Sequence, residues 1–308
     1  MRRNTVRRFK MWILILAVCG VLLPAHGFAL SDRERISNRI SFDMDECFIV
    51  QDDGTVFMDR VTAAKYPEVK LWKEIIAVSA NTDAVIGLRK DGTVIGTGSL
   101  VSGMEKQAIA QWRNVSQVLR TLGTTYGITS SGTLLYVSEY GGNAADSDRG
   151  KALRRYEWKN LQSIAGEYYL FAITEDGHVL SNAPAEEIEL LENVVQITES
   201  GTETLFLLSD GSYEAFTELA YEFVNVDHSK QPKNIVQITS DKNQVAFLDN
   251  RGCVHASQYS HYHDAALENI VAISGGVAVD REGNLHFTRE IETDEEIPVF
   301  NLEGYHFD

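Results

Sequence analysis

Apolar and polar positions alternate in a unit of about 40 residues that recurs along most of this chain. Each unit has a glycine, an apolar residue four positions before it and another two positions after it. The stretch Asp-Gly-Thr-Val marks two of the units, at 53–56 and 91–94. The seven glycines are Gly54, Gly92, Gly132, Gly177, Gly211, Gly252 and Gly283, at spacings of 38, 40, 45, 34, 41 and 31 residues. Because all fourteen flanking positions are apolar, the units form a true repeat.

A third apolar position precedes each glycine and completes the pattern of a unit. It lies fourteen residues before the glycine in five units, as Ile40, Val78, Val118, Ile197 and Ile238. The fourth unit uses Ile164 one residue late, and the shortened seventh unit uses Ile273. Short apolar and β-branched runs on both sides of a tight turn predict a strand, a second strand, a turn and a third strand in every unit.

The turn before the third strand explains why glycine recurs. The residue before it is aspartate in only four units and is Ser131, Arg251 or Glu282 in the others. Long side chains tolerate positive φ poorly, so a turn with two residues at positive φ does not fit. We predict a three-residue loop, with a type I turn over the polar pair and only the glycine in the left-handed region, as in a G1 bulge. The aspartate-glycine pair is therefore turn chemistry and not catalysis.

Seven such units predict an all-β fold, a seven-bladed β-propeller. A lone sheet of three or four strands cannot bury both apolar faces, so the units must stack. Radial stacking with up to four strands per blade suits the unit length, and an open solenoid is the alternative. We expect residues 30–308 to form one propeller domain, with 298–308 supplying a missing strand of the first blade and closing the ring.

The repeats resemble those of the regulator-of-chromosome-condensation family. The resemblance lies in WKEIIAVSANTDAVIGLRKDGTVIGTG, WRNVSQVLRTLGTTYGITSSGTLLYV and WKNLQSIAGEYYLFAITEDGHVLSN, and it extends over most of 36–290. It is strongest for the degenerate form found in exported bacterial proteins. The resemblance implies a seven-bladed propeller. The best-known eukaryotic member works on a nuclear GTPase, whereas exported inhibitors of β-lactamase share this kind of propeller.

The first 29 residues have the pattern of a secretory signal peptide. Five basic residues precede a mostly apolar run of about 15 residues, and the small residues Gly27 and Ala29 follow it. An uncleaved signal anchor is the alternative, although the run is short for a full span of about 20 residues. A lipoprotein signal at Cys19 fits less well, because bulky Val18 precedes it. We expect a protein that is secreted or held in the extracytoplasmic cell envelope.

Charge narrows the kinds of partner. Residues 1–29 carry five of the 28 basic residues and none of the 44 acidic ones, so their removal leaves a net charge of −21. Nucleic acids and anionic membranes need basic patches, so neither is an expected partner beyond the possible N-terminal anchor. We expect a monomer that binds a protein and has no cofactor.

Polar clusters give no catalytic set. Cys253, His255, His261, His263 and Asp264 have metal-ligand types, but a solvated histidine-rich loop fits their positions better than a zinc or copper site. The acidic stretches 42–46 and 292–296 are interpreted as a solvated rim; calcium held at 43–45 is the alternative for the first. Cys47 and Cys253 lie in well-separated repeats and are expected to be two thiols. Their position in the units places three tryptophans in the core: Trp72, Trp112 and Trp158.

The longest departure from the repeat, 136–158, is the candidate binding surface. It carries Tyr140, Arg154, Arg155 and Tyr156, residue types that are frequent at interface hot spots. An ordinary surface insertion with its arginines paired to nearby acids is the alternative. The sequence thus favours a non-enzymatic scaffold that binds a protein through its loops, as an inhibitor or an envelope-interaction protein. A hydrolase or lyase with an acidic site at the central channel, and a purely structural envelope protein, remain alternatives.

Overall fold

The computed structural model describes residues 30–42, 46–81, 83–99, 101–121, 123–138, 158–167, 169–183, 185–201, 203–217, 222–224, 231–241, 244–256 and 267–307. Three short helices, α1 (Asp32–Ser37), α2 (Arg60–Lys65) and α3 (Gly103–Ile109), and two 3-10 helices (Pro67–Leu71 and Glu186–Leu190) lie among the strands. The strands are β1 (Ile40–Phe42), β2 (Cys47–Val50), β3 (Val56–Met58), β4 (Ile75–Ala80), β5 (Ala84–Arg89), β6 (Val94–Gly98), β7 (Val115–Thr121), β8 (Thr124–Thr129), β9 (Leu134–Ser138), β10 (Leu161–Ala165), β11 (Phe171–Thr174), β12 (Val179–Ser181), β13 (Val194–Ser200), β14 (Glu203–Leu208), β15 (Tyr213–Thr217), β16 (Glu222–Val224), β17 (Ile235–Asp241), β18 (Gln244–Asp249), β19 (Val254–Ala256), β20 (Ile270–Ser274), β21 (Val277–Asp280) and β22 (Leu285–Phe287).

Each repeat unit is one antiparallel sheet, and the apolar residues around its glycine set the register. The residues four before and two after the glycine are cross-strand partners in all seven sheets: Val50–Val56, Leu88–Val94, Ile128–Leu134, Ile173–Val179, Leu207–Tyr213, Leu248–Val254 and Val279–Leu285. In the described residues only the fifth sheet has a fourth strand, β16, and the other six have three. Helices α2 and α3 and the two 3-10 helices lie in linkers between blades.

The seven sheets close into a ring around a central channel. The first strand of each sheet contacts the first strand of the next, and β20 of the last sheet contacts β1 of the first. Apolar clusters fill the spaces between neighbouring sheets, as where Phe171 of blade four meets Phe206 and Phe216 of blade five. The predicted seven-bladed propeller is confirmed, and the described strands do not form an open solenoid.

The glycine turns have the predicted geometry. All seven glycines have φ between +71° and +85°, while the residue before each of them stays at negative φ. In the Asp-Gly-Thr-Val turns the aspartate side chain organises the loop: Asp91 Oδ1 accepts hydrogen bonds from Thr93 N at 2.9 Å and Thr93 Oγ1 at 2.6 Å. The G1-bulge prediction is confirmed.

A second residue with left-handed backbone conformation faces each of the first six glycine turns, and the repeat pattern derived from the sequence does not include it. These residues, with φ between +54° and +60°, are Glu74, Asn114, Asn160, Asn193, Asn234 and Asn269. The residue after each one donates its amide to the glycine carbonyl of the preceding blade, as Val115 N does to Gly92 O at 3.0 Å. A Cβ on Gly92 would lie 3.0 Å from the Cα of Asn114. Each glycine thus joins two blades as well as making a turn.

The C-terminal segment repeats this contact between the last blade and the first. Phe300 N donates to Gly283 O at 2.9 Å, Asn301 N donates to Asp52 Oδ2 at 2.8 Å, and the Phe300 ring is buried beneath the Arg39 guanidinium. The expectation that 298–308 adds a strand to the first blade is wrong, because the described part of this segment forms no strand. Blade one already has its three strands. Phe300 donates its amide to the Gly283 carbonyl in the same way that Val115, at the start of blade three, donates to the Gly92 carbonyl.

The tryptophans pack in the core as predicted. Trp72 and Trp158 are buried and Trp112 is partly buried. The Trp72 ring lies close to Gly87 on β5, where an added Cβ would be only 2.7 Å from Cζ3. Gly127 on β8 holds the same relation to Trp112, with a distance of 3.0 Å. These two glycines therefore make room for the tryptophans.

Candidate functional site

The ring has two faces that differ in what they present. Antiparallel strands reverse direction at each turn, so the hairpins between first and second strands all lie on one face, which we call the hairpin face. The seven glycine turns lie on the opposite face, the glycine-turn face. Linkers such as the one containing α3 run along the outside of the ring from the hairpin face back to the glycine-turn face.

A cavity of about 270 Å³ occupies the central channel and is lined by residues of all seven blades. Its hydroxyl groups already make hydrogen bonds that join neighbouring blades. Ser79 Oγ accepts from Arg120 N at 2.8 Å, and Thr198 Oγ1 and Ser240 Oγ are 2.8 Å apart. These groups stabilise the ring and are not arranged as nucleophiles, since no base is hydrogen-bonded to these three hydroxyls within the described residues.

Three glutamines strengthen the same ring from inside. Gln196 spans blades five and six, because its Nε2 donates to Ile238 O and its Oε1 accepts from Ile238 N, both at 2.8 Å. Gln117 makes the equivalent pair of bonds with Ile164, and Gln237 accepts from Ile273 N at 2.9 Å. The inner strands are thereby fixed by side chains as well as by their own sheets.

Two glutamates, Glu167 and Glu199, lie where the channel opens on the hairpin face. Glu199 is only 7% exposed, and its carboxylate accepts a hydrogen bond from the backbone N–H of Glu167 in the neighbouring blade. Ser240 Oγ donates to the Glu199 carbonyl. Acid–base catalysis needs a carboxylate that can reach the substrate, whereas the Glu199 carboxylate joins two blades. This mouth is the place that an acidic active site would occupy, and its best-placed acid has a structural role.

An ionic cluster joins blades one and two on the hairpin face. Lys65 Nζ lies 2.6 Å from Glu46 Oε1 and also contacts Asp83, and Tyr66 donates to Glu46 Oε1 at 2.6 Å. Burial lowers the pKa of Lys65, but hydrogen bonds to Asp83 and Glu46 outweigh it, so the pKa lies above its ordinary value. Burial also raises the pKa of Tyr66, and the Glu46 carboxylate raises it further. Lys65 is therefore a charged group and not a candidate base.

A fully buried ion pair lies between blades two and three. Glu105 of α3 contacts Arg120 Nη1 at 2.6 Å, with side-chain exposures of 0% and 1%, and it also accepts from Thr125 Oγ1 at 2.6 Å. The pair fixes α3 against β7 and β8. Charged groups on the hairpin face therefore serve first to join blades.

The residues that the sequence analysis chose as a binding surface, Tyr140, Arg154, Arg155 and Tyr156, lie outside the described residues. Their attachment point is described. Ser138, the last residue of β9, donates from Oγ to Gly123 O at 3.2 Å and so lies beside the hairpin between β7 and β8. The insertion is therefore attached to the ring at the hairpin face. The described chain resumes after it at Trp158, which is buried.

The histidine-rich stretch divides between the described residues and the others. His261, His263 and Asp264 lie outside them. His255 Nε2 is 3.0 Å from Oδ2 of the buried Asp249, which also accepts from Cys253 N at 3.0 Å. Burial raises the pKa of Asp249, but hydrogen bonds from His255, Cys253 N and Arg251 outweigh it, so the pKa lies well below its ordinary value. His255 is thus engaged in supporting a turn.

Blade seven repeats this arrangement, with His286 Nε2 2.9 Å from Asp280 Oδ2. Within the described ranges, no group of three or more His, Cys, Asp or Glu side chains could hold a metal ion. The two cysteines among the described residues are free thiols, Cys47 buried and Cys253 partly buried, and burial raises the pKa of Cys47 to about 12. In the same residues, no helix has the length and apolar character needed to span a bilayer.

The acidic stretch 292–296 is exposed, and two basic side chains compensate part of its charge. Arg60 Nη2 lies 2.8 Å from Asp294 Oδ1, and Lys70 Nζ lies 3.9 Å from Glu295 Oε1. Exposed ion pairs of this kind contribute about 0–1 kcal/mol each. The stretch is a solvated rim, as interpreted from the sequence. Asp43 and Asp45 of the other acidic stretch lie outside the described residues.

Comparison with known proteins supports the fold and goes no further. No family model matches the chain, and no curated protein matches its sequence. The structure of yeast RCC1 (Prp20) bound to Kap60 is similar, with a TM-score of 0.50 at 11% identity, over 92% of this chain and 85% of that one. Prp20p from Saccharomyces cerevisiae in a second structure gives a TM-score of 0.49 at 11% identity, over 84% of each chain. BamB from Moraxella catarrhalis gives 0.40 at 13% identity, over 80% of each chain. The chain is an RCC1-like propeller in fold.

Proposed function

We propose that this chain is an exported, non-enzymatic propeller that binds another protein through its hairpin face. It is secreted or held in the cell envelope, and it is a degenerate bacterial form of the RCC1-type propeller. One observation carries the choice of surface: within the longest departure from the repeat, 136–158, Ser138 lies beside the Gly123 hairpin. Propellers commonly bind through loops held on a rigid frame.

The rest of the molecule supports binding over catalysis. Channel hydroxyls, glutamines and the Glu199 carboxylate are used to join blades. The similar yeast RCC1 was solved in a complex with another protein, Kap60. On a chain of net charge −16, the insertion carries arginines and tyrosines, residue types that are frequent at interface hot spots. One version of this proposal is that the partner is a secreted enzyme, which the propeller inhibits by binding to it.

Affinity capture from the envelope and medium of the source organism tests the proposal. The bait is the full chain, compared with a variant in which 139–157 is replaced by a short Gly/Ser loop. A matched control replaces 257–266, the histidine-rich linker of another blade, in the same way. We expect one protein to be retained by the wild type and the control, and to be lost from the 139–157 variant.

Two other outcomes would count against the proposal. If both loop variants retain the same protein as the wild type, the partner binds elsewhere on the ring. Turnover of a glycoside or polysaccharide that a single Glu167→Gln or Glu199→Gln substitution abolishes would make the chain an enzyme with its site at the channel mouth. A fold control by thermal unfolding accompanies each variant.

A further inference from the structure

A second cavity, of about 320 Å³, opens on the glycine-turn face between blades one and two. We call it the arginine pocket; Arg35, Asn38, Arg39, Asp52, Ile76 and Tyr305 are among its lining residues. Its size is at the lower end of the range for ligand sites, roughly 300–1,000 Å³. It lies on the face opposite Ser138, where the 139–157 insertion is attached, and is separate from the surface proposed above.

Hydrogen-bond donors outnumber the acceptors that this pocket offers. The Arg39 side chain is 9% exposed; its Nε and Nη2 donate to Val50 O, and Nη2 also pairs with Asp52 at 2.6 Å. Its Nη1 makes no hydrogen bond to any residue in the described part of the chain. Arg35 pairs with Asp32 through Nη1 alone, and the side-chain amide of Asn38 has no partner among the described residues.

Among the described residues that line the pocket, the one carboxylate is engaged at both oxygens. Asp52 Oδ1 contacts Arg39 and its Oδ2 accepts from Asn301 N at 2.8 Å. Two arginines and one carboxylate line the pocket, and Asp32 pairs with Arg35 from outside it, so each guanidinium keeps N–H groups that no carboxylate uses, on a chain whose net charge is −16. Such a surplus of buried and half-exposed donors favours an anion, and arginine suits a carboxylate because its N–H groups match the two oxygens.

An apolar wall stands beside the guanidinium groups. Ile76 is the extra residue of a β-bulge in β4 and is 45% exposed. Ile75, Ala77 and Leu88 line the same side of the pocket. Opposite them, the Tyr305 ring stacks on the Arg35 guanidinium, 4.9 Å from its centroid. A ligand that fits must place a carboxylate and an aliphatic group next to each other.

We propose that the arginine pocket binds the C-terminal carboxylate of a peptide segment that ends in an aliphatic residue. Such a residue carries its carboxylate and its apolar side chain on one Cα, which matches a pocket lined by both Arg39 and Ile76. Arg39 holds the carboxylate from inside the pocket, Arg35 holds it from the rim, and Ile76 contacts the side chain. The occupant is the C-terminal tail of a protein partner; an aliphatic carboxylate that is not a peptide has the same chemistry, and the experiment distinguishes the two.

Fluorescence anisotropy with the full chain tests this proposal. The probe is a labelled tetrapeptide, Gly-Ser-Ala-Leu, with a free C-terminus, and its C-terminally amidated form is the comparison. Octanoate serves as a competitor that has the carboxylate and aliphatic body without the peptide. Ile76→Asp places a negative charge in the pocket, and Arg35→Gln removes the rim guanidinium. Val195→Asp is the matched control, because Val195 is the bulge residue of blade five, is 41% exposed and does not line the pocket.

We expect the amidated peptide to bind the wild-type protein at least ten-fold more weakly than the free peptide does. For the free peptide, we expect Ile76→Asp to weaken binding at least ten-fold and Arg35→Gln to weaken it several-fold, whereas Val195→Asp should bind like the wild type. Equal binding of the free and amidated peptides would overturn the proposal, as would equal losses in Ile76→Asp and Val195→Asp. If the free peptide does not bind, while calorimetric titration shows saturable binding of octanoate that Ile76→Asp weakens, the pocket takes a non-peptide carboxylate and the peptide assignment is overturned. In the capture experiment, a partner retained by Ile76→Asp and lost with the 139–157 variant would leave the proposed function intact whatever the pocket binds.

Discussion

Gly92→Ala tests the contact between neighbouring blades most sharply. Gly92 has φ +76°, a region that costs an L-residue about 1–2 kcal/mol. The added Cβ would also lie 3.0 Å from Asn114 Cα and 3.1 Å from Asn114 N. Both atoms belong to the backbone of the next blade, so blade three must move, and overpacking of this kind costs about 1–3 kcal/mol. We expect a total loss of about 2–5 kcal/mol in the free energy of unfolding.

Two glycines in the same chain separate these contributions. Gly304 has φ +85° with nothing within 4 Å of its added Cβ, so Gly304→Ala carries only the conformational cost. Gly103 begins α3, has no positive φ and also has open space around it, so Gly103→Ala should change stability by less than about 0.5 kcal/mol. Urea unfolding followed by circular dichroism and tryptophan fluorescence measures all three.

The order of the three variants decides the interpretation. We expect Gly92→Ala to be the least stable, Gly304→Ala to be intermediate and Gly103→Ala to match the wild type. If Gly92→Ala and Gly304→Ala lose the same stability, the close approach between blades contributes nothing. In that case the glycine repeat would be explained by turn conformation alone, and the reasoning on blade contacts would be refuted.

Two further substitutions test other parts of the ring. Phe300→Ala removes a side chain that is 2% exposed and should lower the free energy of unfolding by about 3–5 kcal/mol. Val299→Ala, at a neighbour that is 56% exposed, should lower it little. Equal effects of the two substitutions would argue against closure of the ring by this segment. Asp249→Asn should lower stability by about 1.5–3 kcal/mol at neutral pH, because a buried carboxylate loses its charged hydrogen bonds. The pKa of Asp249 is lowered in the folded state, so its carboxylate stabilises the fold above the unfolded pKa of about 4, and this stabilisation is lost as pH falls toward the folded pKa. The stability difference between Asp249→Asn and the wild type should therefore shrink on acidification. A difference that stays constant with pH would contradict the assignment.

Sequence reasoning reached the scaffold because its signal is local and repeated seven times. A glycine with apolar residues at fixed offsets dictates both a turn and a cross-strand pair, so Leu88 and Val94 could be paired without a structure. The same sequence carried a second signal that was overlooked. Asparagine precedes the first strand in blades three to seven, and Glu74 takes that position in blade two.

The remaining features depend on residues far apart in the chain. Phe300 completes the ring without any strand pattern, because its role is to contact Gly283 and Arg39 and not to pair with a sheet. The arginine pocket combines α1, a bulge in β4 and Tyr305, and no spacing rule joins these segments. The partner surface is the least determined feature, since a stretch that departs from the repeat, such as 139–157, carries no register to place its side chains.

Hydrogen–deuterium exchange of the protein, alone and bound to the captured partner, tests the central claim most directly. We predict protection on binding at the hairpin-face segments 119–126 and 165–171, which flank the insertion, while the glycine turns at 129–133 and 174–178 exchange as they do in the free protein. Protection of those two glycine turns with unchanged hairpins would contradict binding through the hairpin face.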